Sequence, residues 1–126
     1  MSTSVGIDLI EVGRIERAVA RRPGLAERVF SPAELRFAAA KARPGRHLAA
    51  RFAAKEATLK ALGLGGLRLH EVEVLGGGDH KPRVTLHGKA AEVAAHRGVE
   101  VEISLTHSRE LAAAVAATTL RPCASG

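Results

Sequence analysis

Residues 47–63 read HLAARFAAKEATLKALG, and this stretch decides what the rest of the chain packs against. Leu48, Phe52, Leu59 and Leu62 recur at helical spacing and form a packing stripe, so the spacing predicts a helix from about His47 to Leu62, closed by Gly63. Glu56 and Lys60 stand one turn apart on an adjacent side, with small Ala49 and Ala53 nearby. Small neighbours let a ligand or another chain approach the backbone closely. Arg51 and Lys55 lie on another side of the helix, where they either enlarge the positive field or remain solvated.

Working outward, Pro44 and Gly45 interrupt the chain before this helix. Upstream, Ser31, Pro32 and Glu34 carry a capping-box arrangement, which predicts a helix running from Pro32 to about Arg43. Further back, Ile15 and Val19 make an apolar side of a short helix while Arg14, Arg17 and Arg21 project along another, before Pro23 and Gly24 end the run. At the start, Val5, Ile7 and Leu9 alternate, so residues 5–12 read as a strand with Asp8 pointing away from that trio.

Downstream, residues 67–75 read as a strand, GGGDHKP (76–82) as a turn, 83–87 as a second strand and 88–97 as a short helix. Val99, Val101, Ile103 and Leu105 alternate strictly and predict a strand ending at His107. For residues 111–119 the alanines favour helix, yet Leu111, Ala113, Val115, Ala117 and Thr119 also supply a period-two face.

The chain has 126 residues, 46% of them apolar, enough for one domain with a modest core. Nineteen Lys and Arg against thirteen Asp and Glu leave a formal charge of +6, which favours an anionic ligand or partner. With no Trp or Tyr and three Phe, there is little material for stacking nucleic-acid bases. A basic module that binds nucleic acid or an acidic protein through Arg14, Arg17 and Arg21 is the non-enzymatic alternative. Cys123 is the single cysteine and excludes an internal disulfide or a four-thiolate metal site. The opening residues lack a secretory-signal pattern and no apolar run reaches membrane-spanning length, so the expected location is the cytoplasm.

Several residues bear on chemistry. Asp8 and Glu56 are either ordinary surface carboxylates or, if folding brings them together, a pair suited to Mg2+, whose shell is six oxygens. Glu56 and Lys60 also read as a plain i,i+4 ion pair. His107 ends a regular strand and titrates near neutrality, so it is placed either for structure or for proton transfer. GLGG (63–66) and GGGD (76–79) lack the complete phosphate-loop pattern and read as turns. His47, His70, His80, His87 and His96 read as surface or packing histidines.

Taken together, VGIDLIEVGRI, RFAAKEATLKALG and ISLTH resemble the holo-acyl-carrier-protein synthase family of the phosphopantetheinyl transferases, over most of the chain. The resemblance implies a compact α+β fold with an antiparallel sheet against helices, formed by residues 1–120 with 121–126 as a flexible tail, and a strand at 111–119. It implies transfer of 4'-phosphopantetheine from coenzyme A to a serine of an acyl carrier protein, releasing adenosine 3',5'-bisphosphate. Asp8 and Glu56 match the magnesium carboxylates, Lys60 the phosphate lysine, and His107 the histidine near the diphosphate and acceptor hydroxyl. Arg51 and Pro82 match positions near the nucleotide, and Arg14 a carrier contact beside which Arg17 and Arg21 add to the basic face. The base is His107 or a water activated by the ion. The family also implies a homotrimer with active sites between subunits, and neither nucleic acid nor membrane as partner. Leu111 and Ser108 depart from the family, where an aromatic and, in some members, an acidic residue stand.

Overall fold

A computed structural model describes residues 3–122. Its element order is β1 (Val5–Glu11), α1 (Val12–Arg21), α2 (Leu25–Val29), α3 (Pro32–Ala39), α4 (Pro44–Leu62), a 3-10 turn (Gly66–Glu71), β2 (Val72–Gly77), β3 (His80–Leu86), α5 (Gly88–Arg97), β4 (Val99–His107) and β5 (Leu111–Leu120). The fold is α+β, as expected. One antiparallel sheet has the order β1-β5-β4, and β2-β3 forms a separate hairpin. The expected tail at 121–126 and Cys123 lie largely outside the described residues.

Helix α4 lies across the inner face of the three-stranded sheet. Its Ala49, Ala50, Ala53, Ala54, Ala57 and Ala61 are buried against Ile10, Ile103, Ala112, Ala114 and Ala116. Methyl groups on both sides let helix and sheet approach closely, which larger side chains would prevent. The tightest point is Gly6: a Cβ there would stand 1.9 Å from the Ala57 carbonyl oxygen. Asp8 shares that inner face two residues on, so the close approach at Gly6 delivers its carboxylate to α4.

The apolar alternation of β1 faces outward. Val5, Ile7 and Leu9 are 62%, 67% and 65% exposed, while Gly6 and Ile10 are buried. Strand β5 follows the same rule: Ala112, Ala114, Ala116 and Thr118 face α4, and Leu111 and Val115 face out. With Ile7 opposite Val115 and Leu9 opposite Ala113, the outer face of the sheet carries an apolar patch across two strands. Residues 111–119 are therefore strand, with the smaller residues inside.

Four boundaries differ from the sequence expectation. Helix α3 ends at Ala39 rather than Arg43. Helix α4 begins at Pro44, three residues earlier than expected, because proline occupies the first helical turn, where its missing N–H costs nothing. The first half of the expected strand 67–75 is the 3-10 turn, with Leu67 exposed. Strand β3 starts at His80 because only Gly78 and Asp79 are needed to turn the chain from β2. Helix α2, which the sequence reading missed, is a five-residue helix with no buried side chain.

Arg51 and Lys55 are buried rather than solvated, at 2% and 1% exposure. Lys55 Nζ lies 2.9 Å from Glu34 Oε1 and also donates to the Val72 carbonyl. Glu34 Oε1 accepts from Ser31 N at 2.7 Å, closing the expected capping box, while Oε2 accepts from Val74 N at 2.8 Å. One carboxylate therefore ties α3, α4 and β2 together. Burying this pair without its hydrogen bonds would be costly, and here each partner has several.

Candidate active site

Asp8, Glu56 and Lys60 meet at one end of a cleft of about 650 Å³. Asp8 arrives from β1 and the other two from the last turns of α4. Lys60 does not pair along its helix with Glu56, as an i,i+4 reading would have it. Its ammonium instead donates to the Ile7 carbonyl at 2.9 Å and to Asp8 Oδ1 at 3.4 Å. The Glu56 carboxyl is raised above the usual carboxylate range, chiefly by burial and then by the Asp8 charge, with Lys60 opposing both.

That arrangement fits a hard divalent cation. Two carboxylates from separate elements repel one another, and a cation between them relieves both the repulsion and the desolvation. Among the described residues no group of three or more His, Cys, Asp or Glu side chains gathers into a metal cluster. An ion held by Asp8 and Glu56 would therefore complete its shell from substrate oxygens and water.

The rest of the cleft is apolar with a basic rim. Ile10, Ile15, Val19, Phe30 and Phe52 form its wall, and Arg14, Arg17 and Arg21 line its α1 side. All three arginines are exposed. Helix α1 turns Ile15 inward against the core and leaves its basic stripe facing solvent and cleft, as the sequence periodicity predicted.

Arg51, Pro82 and His107 do not line this cleft. Arg51 Nη2 donates to the Gly76 carbonyl at 2.7 Å, and its guanidinium stacks 4.0 Å from the Phe37 ring centroid. Pro82 packs against the same Gly76, where a Cβ would lie 3.4 Å from the Pro82 Cα. His107, at the end of β4, packs against His47 with ring centroids 5.0 Å apart. His47 precedes Glu56 by nine residues on α4, about 13 Å at 1.5 Å per residue, so His107 sits well away from the carboxylates of its own chain. The predicted residues thus form two groups separated along one helix.

The His107 imidazole is lowered below the ordinary histidine range by burial and by Arg46, and is neutral at pH 7. His47 is lowered too, by burial first, then by His107, Lys41, Arg51 and Arg46. The sequence reads His47 as a surface or packing histidine. It does pack, but against a candidate site residue, a contact between α4 and β4 that spacing along the chain does not reveal.

Comparison with known proteins identifies the family. Residues 4–116 match the family model described as the 4'-phosphopantetheinyl transferase superfamily. The holo-[acyl-carrier-protein] synthase of Moorella thermoacetica is 49% identical over 114 residues, covering 88% of this chain and 89% of the relative. That of Syntrophus aciditrophicus is 42% identical over 120 residues, covering 91% and 94%. Among solved structures, a Chronobacterium ammoniagenes synthase–coenzyme A complex superposes with a TM-score of 0.83 at 27% identity, covering 97% of this chain and all of that one. The Helicobacter pylori synthase in complex with coenzyme A gives 0.76 at 29% identity, covering 91% and 99%. With the family model spanning most of the sequence and relatives this similar along nearly their whole length, the chain belongs to the 4'-phosphopantetheinyl transferase superfamily and is an enzyme of its holo-[acyl-carrier-protein] synthase branch.

Proposed function

We propose that the protein transfers the 4'-phosphopantetheine arm of coenzyme A to a serine hydroxyl of an acyl carrier protein and releases adenosine 3',5'-bisphosphate. The observation that carries this reading is the convergence of Asp8, Glu56 and Lys60 from β1 and α4 at one end of a basic-rimmed cleft. Residues 1–120 would form the catalytic domain. Asp8 and Glu56 would hold Mg2+, which when bound supplies neutralising charge to the diphosphate.

The remaining steps fall to the chain itself. Lys60, already oriented by Asp8, stabilises negative charge gathering on the phosphoryl oxygens as the serine oxygen attacks the phosphorus that bears the pantetheine. The bond from that phosphorus to the bridging oxygen breaks, and the electron pair leaves with adenosine 3',5'-bisphosphate. His107, neutral at pH 7, takes up the serine proton, directly or through water. Arg51 and Pro82 would border the nucleotide. Arg14, Arg17 and Arg21 would steer an acidic carrier surface toward the cleft, an attraction that weakens at high salt.

A trimer with its sites between subunits accounts for two further features. The outer face of β1 and β5 exposes Val5, Ile7, Leu9 and Val115, a patch that water would otherwise cover at a cost. The two groups of site residues, apart within one chain, would come together if one subunit supplied Asp8, Glu56 and Lys60 and its neighbour supplied Arg51, Pro82 and His107.

The test is incubation with coenzyme A, Mg2+ and an unmodified acyl carrier protein, followed by the intact mass of the carrier. One added phosphopantetheine arm is the expected result, and Asp8→Ala or Glu56→Ala should each lower the rate by at least about a hundredfold while the protein stays folded. No mass gain with several competent carriers would reject the reaction, and unchanged rates in both variants would reject the metal assignment.

A further inference from the structure

We propose that His47 is a positioning residue for His107: its ring, held edge-on by Phe37 on one side, fixes the orientation of the His107 imidazole on the other. The inference rests on the reading of His107 as a participant in the transfer.

The contacts form a chain across three elements. Phe37 of α3 meets His47 of α4 edge to face, with ring centroids 5.8 Å apart and planes at 72°. His47 meets His107 of β4 in the same way, at 5.0 Å and 73°. Phe37 is itself fixed between Arg51, 4.0 Å from its centroid, and Lys41, at 4.7 Å. Edge-to-face geometry of this kind favours one ring orientation over another. A second hold acts on the turn after His107, where Arg43 Nη1 donates to the Arg109 carbonyl at 2.7 Å. His107 is the last residue of β4 and lies opposite Ala112, whose methyl group offers its ring little support across the strands. The support comes from α4.

Burial first, and then the surrounding charge, disfavour protonation of the supporting ring. The charged groups around the pair are Lys41 after α3, Arg43, Arg46 and Arg51 from α4 and its cap, and Arg109 and Glu110 in the turn after β4. Glu110 acts on Arg43, so the histidines face mainly cations. In this surrounding a charge on one ring disfavours protonation of the other, and burial lowers both imidazoles.

Three substitutions separate position from proton chemistry. His47→Phe keeps a neutral ring and should hold kcat within about twofold of the unaltered enzyme. His47→Ala removes the ring and should lower kcat about tenfold with little change in KM for coenzyme A, because the lost interaction is one of alignment. His47→Lys places a fixed charge beside His107 and should move its titration, followed by NMR of the imidazole resonances, to lower pH together with the acid limb of the rate profile.

Unchanged kcat in His47→Ala would overturn the proposal, as would failure of His47→Phe to restore the rate in a protein that melts like the unaltered enzyme. An unmoved His107 resonance in His47→Lys would also overturn it. Full activity in His107→Ala would instead overturn the parent reading of His107, and the NMR titration, which needs no turnover, tells the two failures apart.

Discussion

At the residue scale, Glu56 shows how a site works against the stability of the protein that carries it. Its carboxyl is raised by burial and by Asp8, so its ionised form is disfavoured in the folded state. A raised carboxyl favours folding below its unfolded pKa, and that contribution is lost as pH rises through the folded value. At pH 7 the charge is a liability. Glu56→Gln should therefore raise Tm at pH 7 by about 1–2 °C, a small effect because the side chain is only half-buried and its charge is screened. Added Mg2+ should raise the Tm of the unaltered protein and leave that of Glu56→Gln nearly unmoved, since an ion stabilises only the state that binds it. Thermal melts with and without Mg2+ check both, and a lower Tm in Glu56→Gln would show that the carboxylate serves the fold instead. Motif resemblance singles out Asp8 and Glu56 from residue type and order alone, and the fold brings both to one cleft. Their electrostatic relationship is not legible in the sequence, since it depends on Gly6 bringing β1 against Ala57.

At the scale of elements, the buried Lys55–Glu34 pair is the feature the sequence reading misjudged. A Lys-Glu dipeptide in a basic helix looks like two solvated charges, and nothing local distinguishes Lys55, at 1% exposure, from half-exposed Glu56 beside it. The difference is tertiary: Lys55 faces the Leu69–Val72 segment and Glu34, while Glu56 faces the cleft. Removing one partner leaves the other buried and uncompensated. Lys55→Met should cost about 3–5 kcal/mol by chemical denaturation. Replacing Lys55 and Glu34 together by apolar residues should recover part of that loss, although Ser31 N and Val74 N then lose their acceptor. An additive double mutant would mean the two do not act as a pair. Capping residues placed the start of α3 and strict alternation placed β4, because those patterns are local. The 3-10 turn at Gly66–Glu71 was read as strand because an alternating LRLHEVEVL pattern does not reveal where Glu71 is pulled aside to accept from Ala90 N and cap α5.

At the scale of the molecule, the proposed trimer would both cover the apolar outer sheet face and join the two groups of residues that α4 keeps apart. If Val5, Ile7 and Leu9 lie against a neighbouring copy, Ile7→Lys should disperse the assembly, seen by light scattering, and activity should fall with it. The division of the site permits a stronger test that needs no disruption. Asp8→Ala damages one group of residues and His107→Ala the other, so each alone should be nearly inactive. In a trimer mixed at random from equal amounts, a site between neighbours is whole when the first subunit carries His107→Ala and the second Asp8→Ala, so co-expression should restore about a quarter of full activity. A site contained within one chain could not be rebuilt in this way, because every chain carries one lesion. Mixing Asp8→Ala with Glu56→Ala supplies the control: both lesions fall on the same side, and no interface in the mixture receives an intact pair of carboxylates from one subunit. Recovery in the first mixture and none in the second would assign the two groups of residues to opposite sides of a subunit boundary.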